Sequence, residues 1–456
     1  MNDVRAFPGE PELGQTPTPG GTAVEISGPW RSYKERIAVL AQRIVEGQRP
    51  IHVLNSIKRS PEVFERFRDS GWREPPRITA EDYERQSVGF DAQAKIEEFR
   101  TIEADARTQL GEGDAIGKIL SRTAGEYADV VEMLLARGTP RFYELSRQLY
   151  GSAKTTFSDR VTRVRDVALD MYEILTNLDE QVLGPQPVRD IPADQAVEVL
   201  NQRLNIVFGD GRVRVILDDG IVADAAAGSD YVKLRRGAMF SERDIRVLEV
   251  HEGWAHVATS LNGQRQPVAR WLAKGPPRTA ATQEGLAGLL EILTLASHPN
   301  RARRLNDRVL AVDKAEDGAS FLQVFEWFRT EGYDEDVCFA NTYRVFRGGV
   351  PDGGAPFTKD IVYIRGIVSN YNFLRSAIAA ARPELIRWLF VGKVALEDIP
   401  VLAPRAHEGV VKAPRYVPEM FKDLNGLAMW LGISTFWTRL KNRAVHEHYA
   451  RMFENA

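Results

Sequence analysis

The chain has 456 residues, about three times the length of a typical domain, which predicts more than one domain. Hydrophobic residues make up 43% and charged residues 27%, and no segment approaches the ~20 consecutive apolar residues of a membrane span. The formal net charge of -3 lacks the strong basic excess that nucleic-acid binding favours. We therefore expect a soluble protein that binds neither nucleic acid nor membrane.

The beginning of the chain carries no export signal. Residues 1–28 are rich in Pro, Gly and Thr and lack a basic and then apolar pattern, which predicts a disordered leader. The single cysteine, Cys338, excludes an intramolecular disulfide and a zinc site of several cysteines, and it fits a reducing compartment. We expect a cytoplasmic protein, and nothing in the sequence specifies its oligomeric state.

Helical periodicity fills the next part of the chain and predicts a helical domain over residues 29–185. Two prolines beside a glycine in Leu183-Gly-Pro-Gln-Pro-Val188 break the pattern and mark the candidate boundary. Residues 186–456 should then form a second domain that ends in helices. Because helices and a small sheet are both predicted, the fold class is α+β.

Two strands are predicted early in this second domain. Arg212-Val-Arg-Val-Ile-Leu217 and Tyr231-Val-Lys-Leu-Arg235 are rich in β-branched residues and are flanked by turn-forming Asp, Gly and Ser. The second run lies just before the segment that carries the candidate chemistry. We therefore expect it to be an edge strand that hydrogen-bonds an extended peptide, with Lys233 as a candidate substrate contact.

A helix should begin immediately after these strands. Ser241-Glu-Arg-Asp244 is a capping-box pattern, in which each end residue hydrogen-bonds the backbone amide of the other. The helix would carry His251-Glu-Gly-Trp-Ala-His256. Zinc peptidases normally place two histidines four residues apart on one helix face, with a glutamate between them as the general base. Here the separation is five residues.

That separation conflicts with a regular α-helix, on which residues five apart diverge by roughly 140°. A π-bulge lowers the turn to roughly 80° per residue and returns both histidines to one face. Gly253 inside the motif eases such a rearrangement. The spacing therefore predicts a π-bulge between His251 and His256, with Glu252 activating the attacking water.

A catalytic zinc site usually has three protein ligands, so a third is needed. The best candidate is Glu284 in Gln283-Glu-Gly-Leu-Ala287, near the start of a following helix for which Thr279 is a possible cap. Glu291, seven residues further on, shares the helix face of Glu284. We expect Glu291 to be a surface residue, and the alternative is a hydrogen-bond partner of a ligand.

A substrate-binding segment is predicted after the glycine-rich stretch Arg347-Gly-Gly-Val-Pro-Asp-Gly-Gly354, which reads as a loop. Lys359 and Tyr363 are four residues apart and share a face in either a helix or a strand. A lysine can hold a terminal carboxylate, and a tyrosine can donate to the oxyanion at the scissile carbonyl. Competing anchors for the carboxylate are Arg344, Arg347 and Arg365, the last only if the segment is a strand.

These motifs also carry a resemblance to a known family. His-Glu-x-x-x-His at 251–256, Gln-Glu-Gly-Leu-Ala at 283–287 and Phe357-Thr-Lys-Asp-Ile-Val-Tyr363 resemble the QEGLA-motif family. Its bacterial members are named for modulating flavohaemoglobin expression, and its animal relatives are microtubule-associated tyrosine carboxypeptidases. The resemblance implies a zincin-like metallocarboxypeptidase domain with His251, His256 and Glu284 as zinc ligands and Glu252 as the catalytic glutamate.

Together the motifs predict a zinc metallocarboxypeptidase that removes a C-terminal residue from a peptide or protein tail. Two alternatives remain open at this point. One is an endopeptidase or amidase that uses the same site, and the other is a regulator that binds a peptide tail without catalysis. A carboxypeptidase requires a cation for the terminal carboxylate close to the metal, whereas an endopeptidase requires an open groove.

Overall fold

The computed structural model describes residues 28–437 apart from positions 60, 179, 186 and 222, together with positions 449 and 452. The predicted leader over residues 1–28 lies outside this range except for its last residue. The described residues before position 185 are helical, as their periodicity predicts. Their helices are α1 (Gly28–Gly47), α2 (Val53–Ser56), α3 (Pro61–Asp69), α4 (Ala80–Glu84), α5 (Ala92–Leu110), α6 (Ala115–Leu135), α7 (Pro140–Tyr150), α8 (Val164–Thr176) and α9 (Glu180–Leu183).

Two small sheets follow in the second half of the chain. In the first, β1 (Ile191–Pro192) pairs antiparallel with β5 (Met239–Phe240). In the second, β2 (Arg214–Asp218), β3 (Ala225–Ala227) and β4 (Tyr231–Arg235) lie in the order β2-β4-β3, with β2 parallel and β3 antiparallel to β4. Both predicted strands are confirmed, since they correspond to β2 and β4.

The predicted edge position of Tyr231–Arg235 is wrong, because β4 lies in the middle of its sheet. The strands at the edges are β2 and β3, and β3 is a run of three alanines. Alternating apolar residues reveal that a segment is a strand but not which strands flank it. A short alanine run has little intrinsic strand preference, so the sequence offers no signal for β3.

The rest of the described chain is helical, so the α+β class is confirmed. Helix α10 (Ala193–Phe208) lies between β1 and β2 in sequence. After β5, α11 (Glu242–Leu248), a π-helix (Glu249–Val257) and α12 (Ala258–Gln264) follow one another without a break. The later helices are α13 (Thr279–Leu293), α14 (Pro299–Glu316), α15 (Phe321–Thr330), α16 (Glu335–Phe346), α17 (Val362–Ala379), α18 (Ile399–Leu402) and α19 (Leu424–Trp437).

Short 3-10 segments connect several of these helices, at Arg270–Ala273, Thr358–Ile361, Pro383–Phe390, Leu396–Asp398, Pro404–Ala406 and Glu419–Phe421. The glycine-rich stretch over residues 347–354 forms a loop, as predicted. No helix within the described ranges is long and apolar enough to cross a membrane.

The π-helix lies between two hydrophobic clusters. One cluster joins residues on both sides of position 185, including Leu120 of α6, Val250 of the π-helix and Leu286 of α13. The other packs β4 against α10 and contains Val232, together with Val257 at the end of the π-helix. The two halves of the chain therefore share one apolar interior, while the domain boundary near residue 185 stays a prediction.

Helices α13 and α17 cross at a pair of glycines. A Cβ atom added to Gly285 would lie 2.0 Å from the backbone carbon of Gly366, and one added to Gly366 would lie 2.0 Å from the carbonyl oxygen of Ala281. Only residues without a side chain allow the two backbones to approach this closely. The crossing therefore fixes where α13 presents Glu284, the residue that immediately precedes Gly285.

We expect Gly285→Ala to lower the free energy of unfolding by about 1–3 kcal/mol, because the added methyl group meets backbone that must move. Gly288→Ala is the matched control on the same helix, because its Cβ would meet only the side chain of Ile367. This control should lose less stability than Gly285→Ala, since the Ile367 side chain can shift and alanine favours a helix. Chemical denaturation measures both, and equal stabilities for the two variants would contradict the crossing argument.

Candidate metal centre

The helix that carries the two histidines begins with the predicted capping box. The Ser241 hydroxyl accepts from the Asp244 amide at 3.1 Å, and the Asp244 carboxylate accepts from the Ser241 amide at 2.9 Å. From this start the helix continues through α11 into the π-helix Glu249–Val257. The predicted π-bulge is therefore confirmed, as a π-helix of nine residues.

The π-helix brings the two histidine rings together. The ring centroids of His251 and His256 are 4.9 Å apart, although five residues separate their positions in sequence. Gly253 between them lies against α10, where an added Cβ would come within 2.5 Å of a methyl carbon of Leu204. A glycine here thus permits the close packing of the π-helix on α10 as well as the altered helical turn.

Glu284 completes a group of three possible ligands. Its Oε2 atom is 3.7 Å from Nε2 of His251 and 3.7 Å from Nε2 of His256. One donor atom from each of the three residues lies within 4.8 Å of the other two. Donors about 2.0–2.1 Å from a tetrahedral zinc ion lie about 3.4 Å from one another, so this arrangement fits a zinc-sized ion.

The helix that carries Glu284 begins differently from the prediction. Thr279 is the first residue of α13 and does not cap it with its side chain. Its hydroxyl instead donates to the carbonyl of Pro276 at 2.8 Å. The hydroxyl is therefore used in a local turn with the residues before the helix. The capping prediction for Thr279 is wrong.

Glu291 is buried, which corrects the expectation of a surface residue. Its side chain is 1% exposed, and its Oε1 atom lies 2.6 Å from Nδ1 of His251. Arg301 donates to the same carboxylate from Nε and Nη2, at 2.5 and 2.6 Å. A carboxylate on Nδ1 leaves Nε2 of His251 facing Glu284, which is the arrangement of histidine ligands in many metal sites.

The electrostatics of this group favour a bound cation. Burial opposes the charged imidazole, but hydrogen bonds to Glu284 and Glu291 raise the pKa of His251 to about 10. Burial alone would raise the pKa of Glu291, yet Arg301 outweighs burial and lowers that pKa to about 2. Two ionised carboxylates thus flank His251, and together they attract positive charge to the space between the donors.

Glu252 lies beside this group and contacts the edge strand. Its Oε2 atom accepts a hydrogen bond from the backbone amide of Ala227 in β3 at 2.9 Å. Within the described residues, no hydrogen bond to its Oε1 atom is present, so that oxygen can accept a proton from a ligand. The contact also fixes β3 next to the π-helix.

Positive charge is concentrated on the other side of Glu284. Lys359 Nζ is 3.8 Å from Glu284 Oε1, and burial lowers the pKa of Lys359. Tyr363 is 9% exposed, and burial and the nearby Glu284 raise its pKa, so the phenol keeps its proton. The Tyr363 hydroxyl has no hydrogen-bond partner among the residues that the structure describes. Both side chains are therefore placed as their spacing in sequence predicts, close to Glu284.

The arginines near Tyr363 differ in whether they form an ion pair with a carboxylate. Arg344 donates twice to Asp360, at 2.8 Å each, and is committed to that buried carboxylate. Burial and repulsion from Arg344 lower the pKa of Arg347. The same two causes lower the pKa of Arg308 to about 10, and its one hydrogen bond in the described structure is to Asn341 at 3.4 Å. Within the described residues, Arg308 and Arg347 therefore form no direct ion pair with a carboxylate, although Asp360 lies near both.

Two predicted substrate contacts lie elsewhere. Lys233 is on the sheet face opposite Val232 and pairs with Asp218 of β2 at 2.5 Å, because side chains alternate along β4. Arg365 points away from Tyr363, since the segment is helical and the two residues are two positions apart. Its guanidinium donates to the carbonyl of Tyr150 at 2.8 Å. Neither residue belongs to the group around Glu284.

Sequence reasoning missed Arg301 and Arg308, both on α14. Their separation of seven residues places them on one helix face, which is the only signal in the sequence. A cavity of about 860 Å³ lies on another side of α13 and α17 and contains none of the three possible ligands. Its charged residues are largely paired, as Arg278 is with Glu126 and Asp398, so the donor geometry rather than cavity size defines the candidate site.

Comparison with known families agrees with this geometry. A family model described as microtubule-associated tyrosine carboxypeptidase matches residues 65–439. The chain belongs to this family. The match includes the π-helix, α13 and the segment with Lys359 and Tyr363, and it confirms the resemblance seen in the motifs. No curated protein matches the chain.

A stability measurement can test whether the charge of Arg344, one of the cations near Tyr363, is committed to Asp360 and so is not free to bind a ligand. Arg344→Ala should lower the free energy of unfolding by about 3 kcal/mol, because Asp360 would remain buried without its partner. Lys422→Ala is a control, since its pair with Glu419 is exposed and is worth at most about 1 kcal/mol. Denaturant titration measures both, and an Arg344→Ala protein as stable as wild type would show that Asp360 does not depend on Arg344.

Proposed function

We propose that this chain is a zinc-dependent carboxypeptidase with a zincin-like catalytic domain, which removes the last residue of a peptide or protein tail. The observation that carries the proposal is the convergence of His251, His256 and Glu284 within 4.8 Å, next to Glu252. Two imidazoles and one carboxylate are a donor set that suits zinc and leaves a coordination position for substrate or water. The family match supports peptidase activity.

Glu252 acts as the general base in this proposal. When bound, zinc supplies a Lewis acid that polarises the scissile carbonyl and the attacking water. The Oε1 atom of Glu252 takes the proton of that water, while Oε2 stays hydrogen-bonded to Ala227. The same carboxyl group then returns the proton to the leaving amine. Tyr363 donates its phenolic proton in a hydrogen bond to the oxyanion that develops at the carbonyl.

The edge strand β3 offers a place for the peptide backbone. Its partner on one side is β4. On its other side the Ala227 amide donates to Glu252 of the π-helix, and no strand among the described residues pairs with the remaining main-chain groups. An extended peptide could add to this side as a further strand through main-chain hydrogen bonds. In this proposal β3 takes the peptide-binding role that the sequence predicts for β4, because β3 and not β4 lies at an edge of the sheet.

The terminal carboxylate of the substrate is held by Arg308 and Lys359 in this proposal. Both lie near Tyr363 or Glu284, and Arg308 has no carboxylate partner in the described structure. Arginine can bind a carboxylate through two parallel hydrogen bonds, which adds geometric specificity. Arg344 is excluded as a free anchor by its pair with Asp360.

The same group of charges favours an acidic tail ending in tyrosine. Among the described residues, four cations, Arg308, Arg344, Arg347 and Lys359, lie near only two carboxylates, those of Asp360 and Glu284. This local excess attracts negative charge although the whole chain has a formal net charge of -3. The name of the family supports tyrosine as the removed residue, and the single cysteine fits the reducing conditions of the cytoplasm.

The metal assignment predicts about one zinc ion per purified chain. His251→Ala and Glu284→Ala should lose the metal, because each removes a ligand from a site of three. Glu252→Gln should retain zinc and lose about 10²–10⁴-fold in kcat, because an amide cannot accept the proton. Metal analysis and steady-state kinetics measure these effects, with the exposed Glu419→Gln as a control. A Glu252→Gln enzyme of full activity would remove Glu252 from the base role.

The anchor assignment predicts a preference for peptides with a free C-terminal carboxylate. Arg308→Ala or Lys359→Ala should cost about 2–4 kcal/mol in kcat/KM for the free acid and far less for the C-terminal amide. Arg365→Ala is a matched control, because that guanidinium is bound to the Tyr150 carbonyl. The measurement is kcat/KM for acid and amide forms of one peptide. Equal cleavage of the two forms by wild type would favour an endopeptidase instead.

A further inference from the structure

The π-helix changes to an α-helix after Val257, and several side-chain donors lie at this junction. Backbone amides bond five residues back in a π-helix and four residues back in an α-helix, so the change skips a carbonyl group. Side chains donate to the carbonyls at this junction. Thr259 Oγ1 reaches the carbonyl of Ala255 at 2.7 Å, and Ser260 Oγ reaches that of His256 at 2.8 Å.

Lys393 supplies a further donor to the same carbonyl. Its Nζ atom lies 3.1 Å from the backbone oxygen of His256 and 3.1 Å from Thr259 Oγ1. The backbone amide of Lys393 donates to the carbonyl of Leu272 at 2.7 Å, which holds this segment against the chain just after α12. The lysine therefore reaches the π-helix from a stretch more than 130 residues later in the sequence.

The third contact of Lys393 joins this junction to α13. Its Nζ atom is 2.9 Å from Oε1 of Gln283, the residue immediately before Glu284. Thr259 Oγ1 lies 2.8 Å from the same oxygen, so its one proton can go either to Gln283 or to the Ala255 carbonyl, and Gln283 is 5% exposed. One partly buried ammonium group thus connects the backbone of one candidate ligand, His256, to the neighbour of another, Glu284.

We propose that Lys393 is a positioning residue that holds His256 and Glu284 at the separation that the metal requires. Its three hydrogen bonds fix the end of the π-helix relative to α13. They also give a reason for glutamine in Gln283-Glu-Gly, since Gln283 offers an acceptor to Lys393 and Thr259. The inference rests on the proposed metal site and not on the proposed peptidase reaction.

The experiment compares zinc binding by Lys393→Met and wild type. Methionine keeps an unbranched side chain and removes the three hydrogen bonds. The dissociation constant for zinc, measured by competition with a chelator, should rise about 10- to 100-fold, which is the usual effect of losing a group that orients a ligand. Loading the protein with cobalt gives a second signal, because the visible absorption of cobalt reports ligand geometry, and the variant's spectrum should differ from that of wild type.

Lys274→Met is the matched control. Lys274 is exposed, and it lies close enough to Lys393 for its positive charge to contribute to lowering the pKa of Lys393. It removes one positive charge from the same region without removing a contact to the ligands, so zinc affinity and the cobalt spectrum should match wild type. An effect of Lys274→Met as large as that of Lys393→Met would assign the change to net charge and overturn the positioning role.

The outcomes separate this inference from the metal site itself. If wild type binds zinc and Lys393→Met binds it with the same dissociation constant, only the role of Lys393 is overturned. A wild-type protein that binds no zinc would overturn the proposed function. If Lys393→Met does not fold, Gln283→Met removes the acceptor from the side of α13. A raised dissociation constant in that variant supports the inference, and an unchanged one overturns it.

Discussion

The five-residue separation of His251 and His256 is the constraint on which the rest of the structure depends. On a regular α-helix the two side chains would diverge by roughly 140° and could not share one ion. The π-helix Glu249–Val257 removes that divergence, and it lies between two hydrophobic clusters that hold it in place. Once the histidines share a face, the third donor has to come from another helix, and α13 supplies Glu284.

Charge is separated across the site in a way that suits the proposed reaction. The carboxylates of Glu284 and Glu291 lie on either side of His251 and attract a cation, and Arg301 keeps Glu291 ionised. On the side of Tyr363, positive groups such as Arg308 and Lys359 outnumber carboxylates. A peptide tail with a negative end would therefore be drawn with its terminus toward the cations and its last peptide bond near the metal donors.

Local features of the site could be predicted from the sequence because they depend on spacing along one element. The capping box at Ser241, the π-helix and the shared face of Lys359 and Tyr363 all follow from the number of residues between them. Features that depend on the order of elements in space could not be predicted. The edge position of β3 and the burial of Glu291 against α14 are set by strand order and helix packing, which leave no periodic signal in a single sequence.

The same limit applies to the choice among the candidate cations. Arg344, Arg347 and Arg365 are all candidates in the sequence, whereas in the structure Arg344 pairs with Asp360 and Arg365 with a backbone carbonyl. Whether a charge is free depends on its neighbours in space. No motif in the sequence singles out Arg308 on α14. In the structure, however, it lies near Tyr363 and forms no direct ion pair with a carboxylate among the described residues.

The measurement that tests the central claim most directly is anomalous diffraction at the zinc absorption edge from crystals of the purified protein. We expect one strong peak among the Nε2 atoms of His251 and His256 and the carboxylate of Glu284, with the π-helix intact. Absence of a peak at these three residues in zinc-loaded crystals, or zinc bound only at other residues, would contradict the assignment of the site.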